Sequence, residues 1–255
     1  MRSYVNNLIR RLLGLNRFQE LAACWNAAGA QDSQPSVSHS TVFVAILVAL
    51  LPLASAVFAS NNSANFIITL AVGCSALFAV VFRLRNGLMF SAVLDWKRSL
   101  SLTHTAFALG CIPALIIAFT DVQALSGVHK EAVTGSTEGQ GVPMGSMILW
   151  IIQVSLWAGI TEELIFRGLV VSVVRRWRIF ASQRHRDLLA VILGALLFGL
   201  SHLPTWGPAM SLAIVGLGLG FGVAFIATGE QIMPLIVYHV IFDLLSLSAA
   251  LFMRS

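Results

Sequence analysis

Six ionisable residues stand where an apolar chain has least reason to keep them: Glu162, Glu163 and Arg167 in WAGITEELIFRG, His202 in LLFGLSHLP, and His239 and Asp243 in IVYHVIFDLL. An ionisable side chain at the centre of a membrane span costs about 2.5–3.5 kcal/mol on insertion scales, so each marks a functional candidate by default. On a helix Arg167, four residues after Glu163, can reach that carboxylate, while Glu162 points about 100° away around the axis. One glutamate is then paired, and the other is free to serve as a general base or acid. The structural alternative, an ion-paired helix kink, needs only one Glu. His239 and Asp243 repeat the i, i+4 spacing, so the carboxyl can fix the imidazole tautomer or join it around a common ligand. A plain buried hydrogen-bonded pair would have the same spacing. His202 by itself reads as a satisfied core histidine, and Phe198 four residues earlier as a packing aromatic; beside the other five, His202 joins a site. His39, His104, His129 and His185 fall in linkers or at span edges, where solvation explains them.

The elements that must position these residues are membrane helices. Of 255 residues 57% are apolar and 11% charged, with a mean hydropathy of +0.84, far from the averages of soluble domains. Runs long enough to cross roughly 30 Å of hydrocarbon predict spans near 41–59, 65–82, 102–120, 147–170, 188–204, 208–227 and 231–252. The expected fold is therefore an all-α polytopic bundle of about seven spans, or eight, with a polar catalytic cavity in its C-terminal half. Pro52 and Pro113 fall inside the first and third spans, where neighbouring helices can satisfy the freed backbone groups. Gly216, Gly218, Gly220 and Gly222 give the sixth a small-residue face for close packing; a phosphate-binding glycine loop would need a preceding strand, and none is patterned. Cys24, Cys74 and Cys111 have no ligand spacing. Residues 1–40 read as a basic amphipathic segment and linker, 41–146 as scaffold spans without ionisable centres, and 147–255 as the catalytic membrane core. No apolar stretch follows the first charges closely enough for a cleavable signal peptide.

Charge sets the orientation. The formal net charge is +5, and all of the sixteen Lys and Arg except Lys130, Arg167 and Arg254 fall between Arg2 and Arg17, Arg83 and Arg98, or Arg175 and Arg186. With seven spans these segments share one side, which the positive-inside rule makes the cytoplasm, with the loop 121–145 opposite. The basic residues flank apolar runs and form no single basic domain, so nucleic acid is not an expected partner. The expected partners are the lipid bilayer and a protein or peptide substrate, the oligomeric state staying open. The expected location is a plasma membrane, with short loops pointing to a prokaryote and the N-terminus in the cytoplasm.

EELIFR reads as EExxxR, FGLSH as FxxxH and HVIFD as Hxxx(N/D), in that order on successive apolar helices. This set resembles the CAAX-protease and bacteriocin-processing (CPBP, or Abi) family of intramembrane proteases, over roughly residues 147–250. The resemblance implies a helical core enclosing a polar cavity in which water attacks a peptide bond. Glu162 with His202 would activate the water, Glu163 with Arg167 would hold the site's shape, and His239 with position 243 would stabilise the oxyanion. Asp243 departs from the Asn of many relatives, and an ionised Asp cannot donate to an oxyanion. Either Asp243 is protonated, or it orients His239 and leaves the imidazole as sole donor. The family is often labelled a metalloprotease, and a zinc ion would be held by Glu162, His202, His239 and Asp243. The same residues suit glutamate-activated water, so the expectation is that no cofactor is required, with zinc as the alternative. HExxH, GxGD and GxSxG, the marks of other intramembrane proteases, are absent. A proton-coupled transporter would show an inverted repeat, yet the ionisable residues occupy one half. A non-catalytic membrane chaperone or immunity protein would not need every motif position filled. Relatives cleave prenylated C-termini, process secreted peptides or act on C-terminal anchors, and the substrate here stays open among these.

Overall fold

The computed structural model describes residues 15–30, 36–58, 64–86, 95–112, 116 and 144–252. The described residues are helical apart from turns and one isolated bridge between Val37 and Trp177. In chain order the helices are α1 (Leu15–Ala30), α2 (His39–Phe58), α3 (Ala64–Arg85), α4 (Trp96–Gly110), α5 (Met144–Glu162), a π-helix (Glu163–Val171), the single turn α6 (Ser172–Arg175), α7 (Gln183–Ala227) and α8 (Met233–Phe252). Among the described residues three stretches are long and apolar enough to cross a membrane, Ile67–Arg85, Gly145–Arg175 and Gln183–Ala227, and His39–Ala54 and Met233–Ala249 are shorter apolar helices. Large side chains such as Leu77, Leu149 and Leu245 are exposed on α3, α5 and α8. Apolar surface of that extent suits lipid rather than water.

The long α7 is two helices. Gly207 breaks it with φ 70° and ψ 174°, between Pro204 and Pro208. Such a backbone favours glycine, and each proline removes a helical donor. The arms 183–206 and 208–227 fold back on each other, so that a Cβ added at Gly218 would stand 2.9 Å from Ala195 Cα and one at Gly222 3.0 Å from Val191. The two predicted spans in this region fall one on each arm. The predicted 41–59, 65–82, 147–170 and 231–252 fall on α2, α3, α5 with the π-helix, and α8. For 102–120 the described helix is Trp96–Gly110, which starts earlier because Asp95 caps it, accepting from the Arg98 N–H at 2.9 Å. Pro113, His129 and the basic residues before Leu15 lie outside the described residues.

The glycine run serves two faces. Gly218 and Gly222 meet the first arm of α7, whereas Gly216 and Gly220 meet α4, where a Cβ on Gly220 would come 2.5 Å from the Ala106 carbonyl oxygen. Only backbones without side chains can approach so closely. Thus α4 is pinned in register against the second arm.

One reading changes in the structure. Arg83, grouped at the outset with the flanking charges, is buried at the end of α3, where it donates to the Gly168 carbonyl (3.4 Å), Ser172 Oγ (3.3 Å) and the Glu230 carbonyl (3.3 Å). Glu230, in the turn between α7 and α8, takes Arg175 Nη1 and Arg176 Nη2 at 2.8 Å each, and Arg175 Nε also pairs with Asp187 at 2.7 Å. Burial acts to raise the Glu230 carboxyl, but Arg176 and Arg175 outweigh it and hold the group below its ordinary range. This knot fastens the far end of the π-helix to α3 and to the α7–α8 turn.

Candidate active site

The site is built on the junction of α5 with the π-helix. Glu162 is the last residue of α5 and Glu163 the first of nine in π conformation. The wider turn brings residue i+4 more nearly over residue i, and such segments recur at functional sites. Arg167 Nη1 lies 3.1 Å from Glu163 Oε1, with both side chains almost fully buried. The expected pair is therefore present, on a π-turn rather than an α-turn. Arg167 Nη2 also reaches the Gly218 carbonyl at 3.4 Å, and its guanidinium lies over the rings of Phe198 (4.5 Å) and Phe221 (5.1 Å).

Glu163 Oε1 has a second partner, His239 Nδ1 at 2.8 Å. A carboxylate can only accept there, so Nδ1 carries the proton and Nε2 is left to face the site. Oε2 of Glu163 is buried and meets no hydrogen-bond donor among the described residues. The same logic fixes His202, whose Nδ1 donates to the Phe198 carbonyl at 2.8 Å and whose Nε2 is thereby turned outward. The phenylalanine of FxxxH thus acts through its backbone oxygen as well as its ring, which stands 4.8 Å from the imidazole.

Both outward nitrogens meet Glu162. Its Oε1 is 3.7 Å from His202 Nε2, its Oε2 is 3.7 Å from His239 Nε2, and Asp243 Oδ2 is 3.6 Å from the same His239 nitrogen. These gaps exceed a direct hydrogen bond and are of the size that one water bridges. The side chains of Glu162, His202 and Asp243 are 22%, 19% and 21% exposed, against 0% for Glu163 and 2% for Arg167. An accessible layer of three groups therefore rests on a sealed layer of two, with His239 joining them. All six candidate residues are brought together.

Two cavities among the described residues lie elsewhere, one of about 230 Å³ lined by Ser40, Thr41, Val44, Phe78, Phe82 and Leu169 and one of about 150 Å³ between α4 and the second arm of α7. At the site itself Glu162, His202 and Asp243 stay partly accessible. His202 and His239 each offer an Nε2 oriented by an acceptor on Nδ1, the donor arrangement that suits zinc by type. As placed, no three His, Cys, Asp or Glu among the described residues converge into a metal-holding group.

Sequence reasoning passed over Phe221, whose ring stacks on His239 at 5.4 Å and 21°; a Phe in an apolar run gives no signal of its own. His104, read as solvated, is exposed, and its Nδ1 lies 2.7 Å from the Tyr238 hydroxyl.

Residues 144–245 match the family model described as type II CAAX prenyl endopeptidase Rce1-like, a family of membrane proteases. The matched segment contains all six candidate residues and agrees with the resemblance carried by the three motifs. No curated protein and no solved structure matches the chain.

Proposed function

We propose that this protein is an intramembrane endopeptidase that hydrolyses a peptide bond near the C-terminus of a membrane-anchored substrate, of the prenylated CAAX type. The observation that supports it best is the placement of the Glu162 carboxylate between two imidazole Nε2 atoms at 3.7 Å each. A water in that gap donates one hydrogen to Glu162 and the other to His202 Nε2, which leaves its lone pair aimed outward at a scissile carbonyl. Glu162 takes the proton as the carbon–oxygen bond forms and returns it to the leaving amine. The oxyanion is met from the other side by His239, whose Nε2 donates only as imidazolium because Nδ1 already donates to Glu163, and by Asp243 when protonated. Glu163 and Arg167 do no proton transfer; Glu163 anchors the Nδ1 end of His239, and Arg167 holds Glu163.

The proposal needs no metal. Should zinc bind, Glu162, His202, His239 and Asp243 are the residues that would hold it, and it would supply a water acidified to near neutral pH. The test is a farnesylated peptide ending in Cys-aliphatic-aliphatic-X, offered to purified protein with and without chelator, beside a transmembrane-anchored peptide without the lipid. Cleavage that is abolished in Glu162→Gln and survives chelation is the expected result. Full activity of Glu162→Gln would sink the mechanism, and loss on chelation with recovery on added zinc would replace the metal-free form of it. Cleavage of the anchored peptide alone would reassign the substrate class.

A further inference from the structure

We infer that Phe221, which no motif contains, is a positioning residue of the hydrolytic site, holding the His239 imidazole in the plane from which it faces Glu162. The inference rests on the endopeptidase reading for its activity arm only.

An imidazole turns about its Cβ–Cγ bond, and a single hydrogen bond at one nitrogen is a modest lock against that turn. His239 is tied at Nδ1 to Glu163 Oε1, and a turn about Cβ–Cγ that broke this contact would swing Nε2 away from Glu162 and Asp243. A face must be blocked to prevent it. Phe221 covers one face, with ring centroids 5.4 Å apart and planes only 21° from parallel, while Phe198 stands edge-on at 6.3 Å and 89° and adds a lateral stop. Phe221 also lies under the Arg167 guanidinium at 5.1 Å. One ring therefore touches both residues that bind Glu163, the cation through its π face and the imidazole by stacking.

The ring is itself fixed from behind. Phe221 is 2% exposed and meets Phe107 of α4 at 5.4 Å, and Phe107 in turn meets Tyr238 and Phe242 of α8 at 4.9 Å each. The α4 contact is set by backbone packing, since Gly220, the residue before Phe221, lies against the Ala106 carbonyl with no room for a Cβ. A helix of the first half of the chain thus supports the catalytic histidine through one aromatic intermediary. A residue that merely fills core volume needs neither parallel planes nor a ring.

Two measurements test this. In protein labelled at histidine carbons, the His239 Cε1–H resonance, assigned by its absence in His239→Gln, is expected upfield of the other histidines, because a stacked ring shields it. Phe221→Leu removes the ring at similar volume and should lose that shielding, whereas Phe221→Tyr should keep it. On the farnesylated peptide, Phe221→Leu should lower kcat about 10-fold or more with KM little changed, as for outer partners of a site histidine, and Phe221→Tyr should restore it. If Phe221→Leu does not fold, Phe221→Met replaces it, and the wild-type shift and the Tyr variant still decide. An unshielded His239 in the wild type, or equal kcat in the Leu and Tyr variants while Glu162→Gln is dead, overturns the inference. If Glu162→Gln is fully active the endopeptidase reading has failed, and the shielding pattern judges the placement of His239 alone.

Discussion

At the scale of single residues, the two glutamates are distinguished by what surrounds them rather than by their own chemistry. Glu163 is sealed between Arg167 and His239, and Glu162 is partly open between two Nε2 atoms. Glu162→Gln should therefore abolish cleavage and leave thermal stability close to wild type. Arg167→Ala should lower both, since truncating one partner of a buried pair costs about 3–5 kcal/mol. Equal melting temperatures for the two variants would contradict this division. Asp243 lies 3.6 Å from His239 Nε2 and has no shorter ion pair among the described residues. If its role is to present a hydrogen-bond donor beside the oxyanion, Asp243→Asn keeps activity and extends it to higher pH, because the amide donates at every pH. Asp243→Ala removes the donor and should fall roughly 10- to 100-fold. A fall of that size in the Asn variant would show instead that the charge is needed, and activity of the Ala variant equal to wild type would remove the residue from the site.

At the scale of elements, the motif spacing made the helices and their polar faces legible. Arg167 four residues after Glu163, Asp243 four after His239 and the glycine run each did what periodicity suggests. What the spacing could not convey was the π conformation at Glu163, which leaves no mark in residue types, or the α7 hairpin as one hinge at Gly207. Nor could it reveal the Arg83, Arg175, Arg176, Asp187 and Glu230 knot, because its members are far apart in sequence and resemble ordinary flanking charges. The knot carries its own pH dependence. Glu230 has a folded carboxyl held below its ordinary range. The unfolded chain therefore takes up a proton at higher pH than the folded one, so the group's contribution is fully present above the unfolded value, about 4.3, and is lost as pH falls through the folded one. Thermal unfolding from pH 7 downward should show an acid-side loss that Glu230→Gln lacks, the variant being less stable at neutral pH. A Glu230→Gln protein with wild-type stability at pH 7 and the same acid slope would remove the knot from this role.

At the scale of the whole molecule, the described parts of the three basic segments meet at one end of the bundle. Arg17 bonds Ser101, Arg98 pairs with Glu20, Arg184 bonds Asn26, Arg175 reaches the Ala28 carbonyl, and Arg83 reaches Glu230. These contacts join α1, the end of α3, the start of α4 and the α6–α7 turn without reference to any membrane. Burial of Arg83, Arg175, Arg176 and Arg186 takes part of this charge out of contact with water, yet Arg85, Lys97, Arg98, Arg178 and Arg184 stay exposed at the same end. Loop charge of that kind orients spans toward the cytoplasm. Reporter tags at residues 90 and 180 should therefore read the same compartment, and that compartment should be the cytoplasm, while a tag near 135 should read the other face. The two halves of the prediction fail separately. Tags at 90 and 180 on opposite faces would contradict the packing of α3 and α4 against the α6–α7 turn, whereas agreement between them with a cytoplasmic signal at 135 would keep the packing and refute the assumed span between 95 and 144. Exchange of Arg85, Lys97, Arg178 and Arg184 for Gln, which leaves the buried knot intact, should weaken the orientation preference without a loss of thermal stability, since none of the four is buried.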